Sequence, residues 1–346
     1  EKGEIQSVAD AVIERKEMDH LAAKLNLQKK YGQDSIDTET AILDKSIELA
    51  QSFNAIKEDL NKSILDMEAD LNKDGSLDLI LTHQWGGIDV YNTRTSPWTK
   101  TSVTDLPGWW NFAYPLDIDK DGDLDIIAGN LGLNTRLKAT EEEPITLYYN
   151  DFDDNGKNEQ VMSFYLQHKE IPFANKDEIQ RQIPKIKKNF LYAEDFAKAS
   201  LVDIFTKDKL NDALQYKAYH FANTVFINEG NSKFKPVELP WEAQITAYKT
   251  ASVCDINGDA LPDVLMMGNY FDNNVQMGRY DADYGTVLIN QGKGKFSVKP
   301  FNGLSIKGQV RRMQAIQIAG QNNQHFVLAM NSDSLRLIQI NKPGSK

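Results

Sequence analysis

The sequence of 346 residues almost lacks cysteine. Its single cysteine, Cys254, excludes an internal disulfide framework, although it does not exclude secretion. Cys254 lies in an apolar run just before an acidic stretch. This setting favours a buried core thiol over a reactive nucleophile.

Long apolar runs, an excess of positive charge and common catalytic motifs are absent as well. No run of 18 apolar residues occurs, which predicts that the chain does not span a membrane. The formal net charge of −11 disfavours nucleic acid as a partner and provides no basic patch for an anionic membrane. The five histidines have no zinc-like spacing, and no G-x-S-x-G, P-loop or H-E-x-x-H motif occurs.

The most informative stretch that is present covers residues 117–125 and reads D-x-D-x-D-G-D-x-D. Five carboxylates within nine residues repel one another unless a cation lies among them. Gly122 permits the sharp turn that brings alternate side chains to one point. Several oxygen ligands in one flexible loop are typical of calcium sites.

The sequence on either side of this stretch favours strands. Residues 111–116 and 124–129 are short, partly alternating and rich in β-forming side chains, and they are too short for two helices. The twelfth position, where a helix–loop–helix calcium hand carries glutamate, is Ala128. We therefore predict that the acidic loop joins two strands.

Similar acidic stretches begin at residues 70, 151 and 255. We predict that all four loops bind Ca²⁺ and that the ion has a structural role, because it offsets charge repulsion and fixes two strands. The predicted ligands are Asp70, Asn72, Asp74, Ser76 and Asp78; Asp117, Asp119, Asp121, Asp123 and Asp125; Asp151, Asp153, Asn155 and Glu159; Asp255, Asn257, Asp259 and Asp263.

Two alternatives to metal binding stay open for these loops. The acidic side chains could accept hydrogen bonds from the backbone of a metal-free turn, or they could form a solvated acidic surface. Four bound calcium ions would bring the net charge to about −3, and in that case most of the acidity of the chain would be metal-site charge.

Residues 1–63 follow a different pattern. Apolar residues recur at helical spacing on both sides of a break near Gly32, which predicts two amphipathic helices. These helices form either a hairpin packed on the main domain or a docking arm for a partner chain. The chain begins at Glu1 without methionine, which suits a processed product whose signal or lipid anchor has been removed.

Residues 64–346 are predicted to form the main domain. Each acidic loop is followed by short apolar segments, and the stretches at 224–234 and 286–296 have Asn and Gly at a hairpin turn. The long gap before the fourth loop contains a predicted helical insert at about 176–219, and without it the gap is close to one repeat. Four-stranded units at this spacing predict a mainly β fold, a β-propeller, with one more blade at 311–340.

The four loops resemble the FG-GAP/VCBS repeat, a calcium-binding propeller repeat of integrin α-chain heads and of many secreted bacterial proteins. Residues 107–111, 128–134 and 142–148, together with the sequence at 182–184, resemble the bacterial branch of that family. The resemblance covers roughly 64–340 and implies a secreted or surface location, with calcium for structure and binding rather than catalysis. Loop three departs from the pattern at Asn155 and Glu159, and loop four has its glycine, Gly258, early.

About five blades are visible, near the lower end of the number needed to close a ring. The ring is therefore either incomplete in this chain or completed by strands from the N-terminal arm or from a partner. Trp109 and Trp110 are the best candidates for a platform that stacks on sugars, with packing between blades as the alternative.

We expect a non-enzymatic propeller that mediates protein–protein interaction on a bacterial cell surface, exported to the extracellular or outer-membrane surface. The first alternative is a carbohydrate-binding accessory protein of a nutrient-uptake or adhesion system, which would bind a glycan. The second is an enzyme, such as a polysaccharide lyase or hydrolase, because carboxylates are plentiful enough to form a catalytic pair.

Overall fold

A computed structural model describes residues 68–230, 232–299, 305–318 and 323–340. The helical arm predicted at 1–63 lies outside these residues. Within them the chain forms antiparallel β-sheets, so the prediction of a mainly β fold is confirmed. The propeller arrangement of these sheets stays a prediction.

The described strands form four sheets of four strands and one sheet of three, all antiparallel. Sheet 1 contains β1 (Glu68–Ala69), β2 (Asp78–Thr82), β3 (Gln84–Asn92) and β4 (Thr99–Trp109). Sheet 2 contains β5 (Phe112–Leu116), β6 (Asp125–Gly129), β11 (Thr224–Asn228) and β12 (Phe234–Glu238). Sheet 3 has the order β10 (Leu214–Ala218), β7 (Ile145–Asn150), β8 (Glu159–Leu166) and β9 (Lys169–Pro172).

The remaining two sheets lie in the C-terminal part of the chain. Sheet 4 contains β13 (Tyr248–Cys254), β14 (Asp263–Gly268), β15 (Thr286–Asn290) and β16 (Phe296–Lys299). Sheet 5 contains β17 (Val310–Ile316), β18 (Gln324–Met330) and β19 (Arg336–Ile340). Sheets 1, 2, 4 and 5 are meanders in which each strand pairs with the next strand of its own sheet.

Sheets 1, 2, 4 and 5 pack on one another in that order. One apolar core joins sheets 1 and 2, a second joins sheets 2 and 4, and a third joins sheets 4 and 5. The second strands β6 and β14 are buried along their whole length, which explains why their sequences are continuous apolar runs rather than alternating ones. Cys254 belongs to the third core, and burial raises the pKa of its thiol to about 12.

Sheet 2 is assembled from two distant parts of the chain. Val225 and Phe226 of β11 pair with Ile127 and Ile126 of β6, and sheet 3 with its helices lies between them in sequence. The interpretation that residues on both sides of the insert form one repeat is therefore wrong. The hairpin at 224–234 completes the sheet of the 117–125 loop, because β11 buries Phe226 against Trp110 there.

Five short helices follow β9. They are α1 (Lys176–Gln182), α2 (Lys185–Asn189), α3 (Ala193–Lys198), α4 (Leu201–Phe205) and α5 (Lys207–Asn211). Capping boxes at Asn175 and Ser200 start α1 and α4. Each of the five helices contributes at least one buried apolar residue to a cluster that includes Phe152 and Tyr148 beside sheet 3. The helices end before the predicted limit of 219, since Leu214–Ala218 pairs with β7 as a strand.

Replacing Phe226 tests the assembly of sheet 2. Phe226→Ala should lower the free energy of unfolding by about 3–5 kcal/mol, because it opens a cavity beside Trp110 in the joint core of sheets 1 and 2. Denaturant unfolding measures this change. The control is Tyr192→Ala at an exposed aromatic, where a loss below about 1 kcal/mol is expected. Equal losses in the two variants would contradict the described pairing.

Candidate metal centres

Each acidic loop joins two neighbouring antiparallel strands, as the sequence predicts. The loops beginning at 70, 117, 151 and 255 connect β1 to β2, β5 to β6, β7 to β8 and β13 to β14. We number the nine positions of each loop from its first aspartate. This numbering shows that the four loops share one hydrogen-bond pattern.

The first-position carboxylate accepts a hydrogen bond from the backbone N–H of the sixth position in every loop. The donor–acceptor distances are 2.9 Å for Gly75 to Asp70, 3.1 Å for Gly122 to Asp117, 2.7 Å for Gly156 to Asp151 and 3.2 Å for Ala260 to Asp255. This contact closes the turn and directs the first side chain into the loop.

The ninth-position carboxylate accepts a hydrogen bond from the backbone N–H of the second position in every loop. The distances are 3.1 Å from Leu71 to Asp78, 2.8 Å from Ile118 to Asp125, 3.0 Å from Phe152 to Glu159 and 2.8 Å from Ile256 to Asp263. Glu159, which departs from the sequence pattern, therefore occupies the same place as the aspartates despite its longer side chain.

The fifth-position side chain accepts the N–H of the seventh position in all four loops, at 2.8–2.9 Å. The fourth and sixth positions have positive φ throughout; in loop four they are Gly258 at +79° and Ala260 at +67°. The early glycine of loop four therefore leaves the backbone path unchanged. It moves the strain from the fourth position, where other loops have Lys or Asp, to Ala260.

Two loops bring three carboxylates together. Oxygen atoms of Asp117, Asp119 and Asp125 lie within 4.8 Å of one another, and Asp151, Asp153 and Glu159 form an equivalent group. Each group could hold a metal ion. The candidate ligands are hard oxygen atoms from the first, third and ninth positions, which is the chemistry that calcium or magnesium requires.

Buried oxygen atoms without a hydrogen-bond partner support this assignment. One carboxylate oxygen each of Asp78, Asp117 and Asp153 is buried without a partner. A buried carboxylate oxygen is costly unless it accepts a hydrogen bond or coordinates a cation. The residues present therefore fit a metal ion, since coordination would satisfy these three atoms.

Burial also raises the pKa values of three loop carboxylates, Asp78, Asp119 and Asp125. Burial raises the pKa of Asp125 to about 6, against the opposing effect of hydrogen bonds from Asn228 and Ile118. Burial, and then the charge of Asp121, raises the pKa of Asp119. A cation among these groups would favour their charged forms and so reverse the shift.

Other predicted ligands have different partners. Asp123 forms an ion pair with Lys73 of the neighbouring loop, and Asp121 accepts the Asp123 N–H at 2.8 Å. Asp74 accepts a hydrogen bond from the Asn92 side chain at 2.9 Å. Among the described residues, the loops beginning at 70 and 255 form no group of three acidic ligands, because asparagine fills the third position in both.

Two asparagines that sequence reasoning treated only as turn residues connect the loops to the third strands. The N–H groups of Asn228 and Asn290 donate to Asp125 and Asp263 at 2.8 and 2.9 Å. Their side-chain amides donate to the carbonyl oxygens of Leu124 and Pro262, each at 3.2 Å. The shared Ile-Asn-x-Gly sequence of the two hairpins is the signal that marks them.

The two candidate stacking residues have different environments. Trp110 is 2% exposed, donates its indole N–H to the Leu106 carbonyl at 3.1 Å and stacks on His220. Its ring is therefore buried in the core of sheets 1 and 2, which favours the alternative of packing between blades over stacking on a sugar. Trp109 is partly buried beside Trp85 and Phe221, and its indole N–H is buried without a hydrogen-bond partner.

Comparison with known proteins identifies part of this region. Residues 70–128 match a family described as FG-GAP-like repeat, and the match contains the loops at 70–78 and 117–125. No curated protein matches the chain. In the described part of the chain, every helix is too short or too polar to cross a membrane.

A matched pair of substitutions tests the metal group at 117–125. Asp119→Asn should weaken calcium binding by about tenfold or more, because it removes a charged ligand from the group. Asp123→Asn makes the same change, carboxylate to amide, in a residue that forms an ion pair with Lys73. It should leave the calcium affinity within about twofold of that of the unmodified protein. Isothermal titration calorimetry measures both, and equal effects would contradict the assignment of ligands.

The strain at the sixth position of loop four gives a second test. Ala260→Gly should raise the free energy of unfolding by about 0.5–1 kcal/mol, because glycine adopts positive φ without a steric cost. The opposite change at the same position of loop three, Gly156→Ala, should lower it by about 1 kcal/mol, as a Cβ there meets open space and only the backbone is strained. Chemical denaturation measures both, and a destabilised Ala260→Gly would refute the shared loop geometry.

Proposed function

We propose that the protein is a non-enzymatic, calcium-stabilised β-propeller that binds another protein at a bacterial cell surface. The observation that carries this proposal is the repetition of one loop geometry in four places, with unpartnered carboxylate oxygens in three of them. The match of residues 70–128 to an FG-GAP-like repeat supports the same conclusion.

Calcium is the ion that suits these loops. The candidate ligands combine carboxylate and amide oxygens on a flexible turn, and calcium accepts six to eight such ligands in irregular geometry. Magnesium requires near-ideal octahedral geometry and retains water molecules, so a loop that supplies most ligands itself suits it less. Calcium would then hold together the two strands that each acidic loop connects.

The packing order of the sheets supports a propeller. Sheets 1, 2, 4 and 5 follow one another face to face, and the first strands of sheets 2, 4 and 5, which are β5, β13 and β17, lie side by side. Met313 of β17 donates its N–H to the Thr250 hydroxyl of β13 at 3.1 Å. In the proposed propeller, these first strands of the blades would line a central axis. Sheet 3 is inserted within the second blade.

Exposed apolar side chains on sheet 3 support a protein partner. Leu214 is 53% exposed and pairs in register with Tyr149, which is 38% exposed, so both side chains lie on one face. Tyr216 lies two residues further on the same face and is 44% exposed. This exposed apolar face on β10 and its neighbour β7 suits a second protein chain.

Two observations bear on the alternatives. Trp241 is 60% exposed on a one-turn helix at Trp241–Ala243, which favours carbohydrate binding as the second candidate function. For an enzyme, the best candidate for a catalytic carboxylate outside the acidic loops is the buried Asp283, because burial raises its pKa to about 6. Both of its oxygens accept hydrogen bonds from Gly268, Gly285 and Thr286, which indicates a structural role.

Removing calcium tests the structural role of the ion. At a calcium concentration of 100 times the dissociation constant, each site should add about 2.7 kcal/mol to the free energy of unfolding. The melting temperature should therefore rise by roughly 5 °C or more over the chelated protein. Magnesium at the same concentration should have a smaller effect. Identical melting temperatures with calcium and with chelator would exclude the proposed role.

Capture from envelope extracts of the native source tests the partner. The protein should retain a specific chain, identified by mass spectrometry, and the double variant Leu214→Ser, Tyr216→Ser should lose about tenfold of that yield. Trp241→Ala is the matched control and should retain the chain. A different result would favour the carbohydrate function. In that case no partner protein is captured, the unmodified protein binds members of an oligosaccharide library, and Trp241→Ala abolishes this binding.

A further inference from the structure

Three polar side chains lie together where the first strands of sheets 2, 4 and 5 begin, at the ends of these strands opposite the acidic loops. Asn111 immediately precedes β5, Lys249 is the second residue of β13 and Arg311 is the second residue of β17. The loops at 117–125 and 255–263 follow the other ends of β5 and β13. Since these three strands are neighbours, their starting ends form one surface.

The side chains converge around one aromatic ring. The Lys249 Nζ lies 2.6 Å from the Asn111 Oδ1 and 5.4 Å from the centroid of the Tyr270 ring. The Arg311 Cζ lies 5.5 Å from the same centroid. Both cations are therefore held over one ring, and both are partly buried.

Both cations have only neutral hydrogen-bond acceptors among the described residues. Arg311 donates to the Asn269 carbonyl at 3.2 Å and to the Gln309 side chain at 2.8 Å. Asp272, a nearby carboxylate, instead accepts hydrogen bonds from Gln309 and Asn331. Burial, and then the charge of Arg311, lowers the pKa of Lys249 to about 8.

Two partly buried cations that face only neutral groups are unusual in a chain of net charge −11. Bringing like charges together in a partly dry site is costly, and an anion between them would relieve the cost. The donors that an anion needs are present, because Lys249 and Arg311 each use only part of their N–H groups. The Nδ2 of Asn111 donates to the Asn130 carbonyl, so its Oδ1 is fixed toward Lys249.

We propose that Lys249 and Arg311 bind the carboxylate group of an acidic ligand at this surface. The planar guanidinium of Arg311 donates to both carboxylate oxygens, and Lys249 supplies the second charge. Asn111 and Tyr270 position Lys249. The proposal does not depend on the function proposed above, since the metal loops lie at the other ends of these strands.

Isothermal titration calorimetry at low ionic strength tests the site with two acids and their neutral counterparts. Galacturonate is compared with galactose, and N-acetyl-glycyl-glycine with its C-terminal amide. The protein should bind at least one acid and neither neutral compound. Binding of galacturonate alone assigns a sugar acid, and binding of the peptide alone assigns a chain terminus. Binding of neither acid would overturn the proposal.

Variants locate the binding. Lys249→Gln and Arg311→Gln should each weaken the affinity for the bound acid by about tenfold or more, because each removes a charge-assisted contact. Lys235→Gln is the matched control, as Lys235 is an exposed lysine of β12 paired with Glu229, and it should bind as the unmodified protein does. Equal weakening by Lys235→Gln would show non-specific attraction and overturn the proposal.

Acetylation footprinting of the unmodified protein avoids any effect of substitution on folding. Lys249 should react with acetic anhydride near pH 8 faster than an equally buried lysine of ordinary pKa, because about half of its amine is unprotonated there. The bound acid should slow acetylation of Lys249 several-fold and leave Lys235 unchanged. Unchanged acetylation of Lys249 at a saturating acid concentration would place the acid elsewhere and contradict the proposal.

Discussion

The structure depends on the buried carboxylate at the end of each acidic loop. Asp125 is completely buried, accepts the Ile118 N–H from the start of its own loop and accepts the Asn228 N–H from the third strand of its sheet. Asp263 makes the same two contacts with Ile256 and Asn290. One side chain therefore fixes the loop, the second strand and the third strand, and a cation beside it would offset the cost of its burial.

This constraint explains how the second sheet tolerates an interruption. Asn228 returns to Asp125 across 103 positions of sequence, and β11 then pairs with β6 as β15 pairs with β14 in the uninterrupted sheet 4. Sheet 3 packs on its helices through one apolar core, and a second core joins Ile145 and Phe164 of the sheet to Trp109 and other residues outside the insertion. The proposed functions lie in three places. The acidic loops lie at one end of the first strands, Lys249 and Arg311 lie at the other end, and the exposed apolar side chains lie on the insertion.

The acidic loops, their carboxylates at the first and ninth positions and the flanking strands were predictable, because spacing and turn chemistry are local. Several features were not. The partner of β11 is set by tertiary packing of Phe226 on Trp110, which a hairpin signal at 224–234 does not contain. The ion pair of Asp123 with Lys73 depends on two loops that lie together only in the fold. The burial of Trp110 likewise follows from its position between sheets 1 and 2.

The central claim is that the acidic loops bind calcium, and counting the ions bound to the intact chain tests it most directly. Native mass spectrometry of chelator-treated protein, followed by addition of calcium, gives that count. The account predicts at least two ions per chain, one for each group of three carboxylates. A chain that keeps its β-sheet content and binds no ion at millimolar calcium would contradict it.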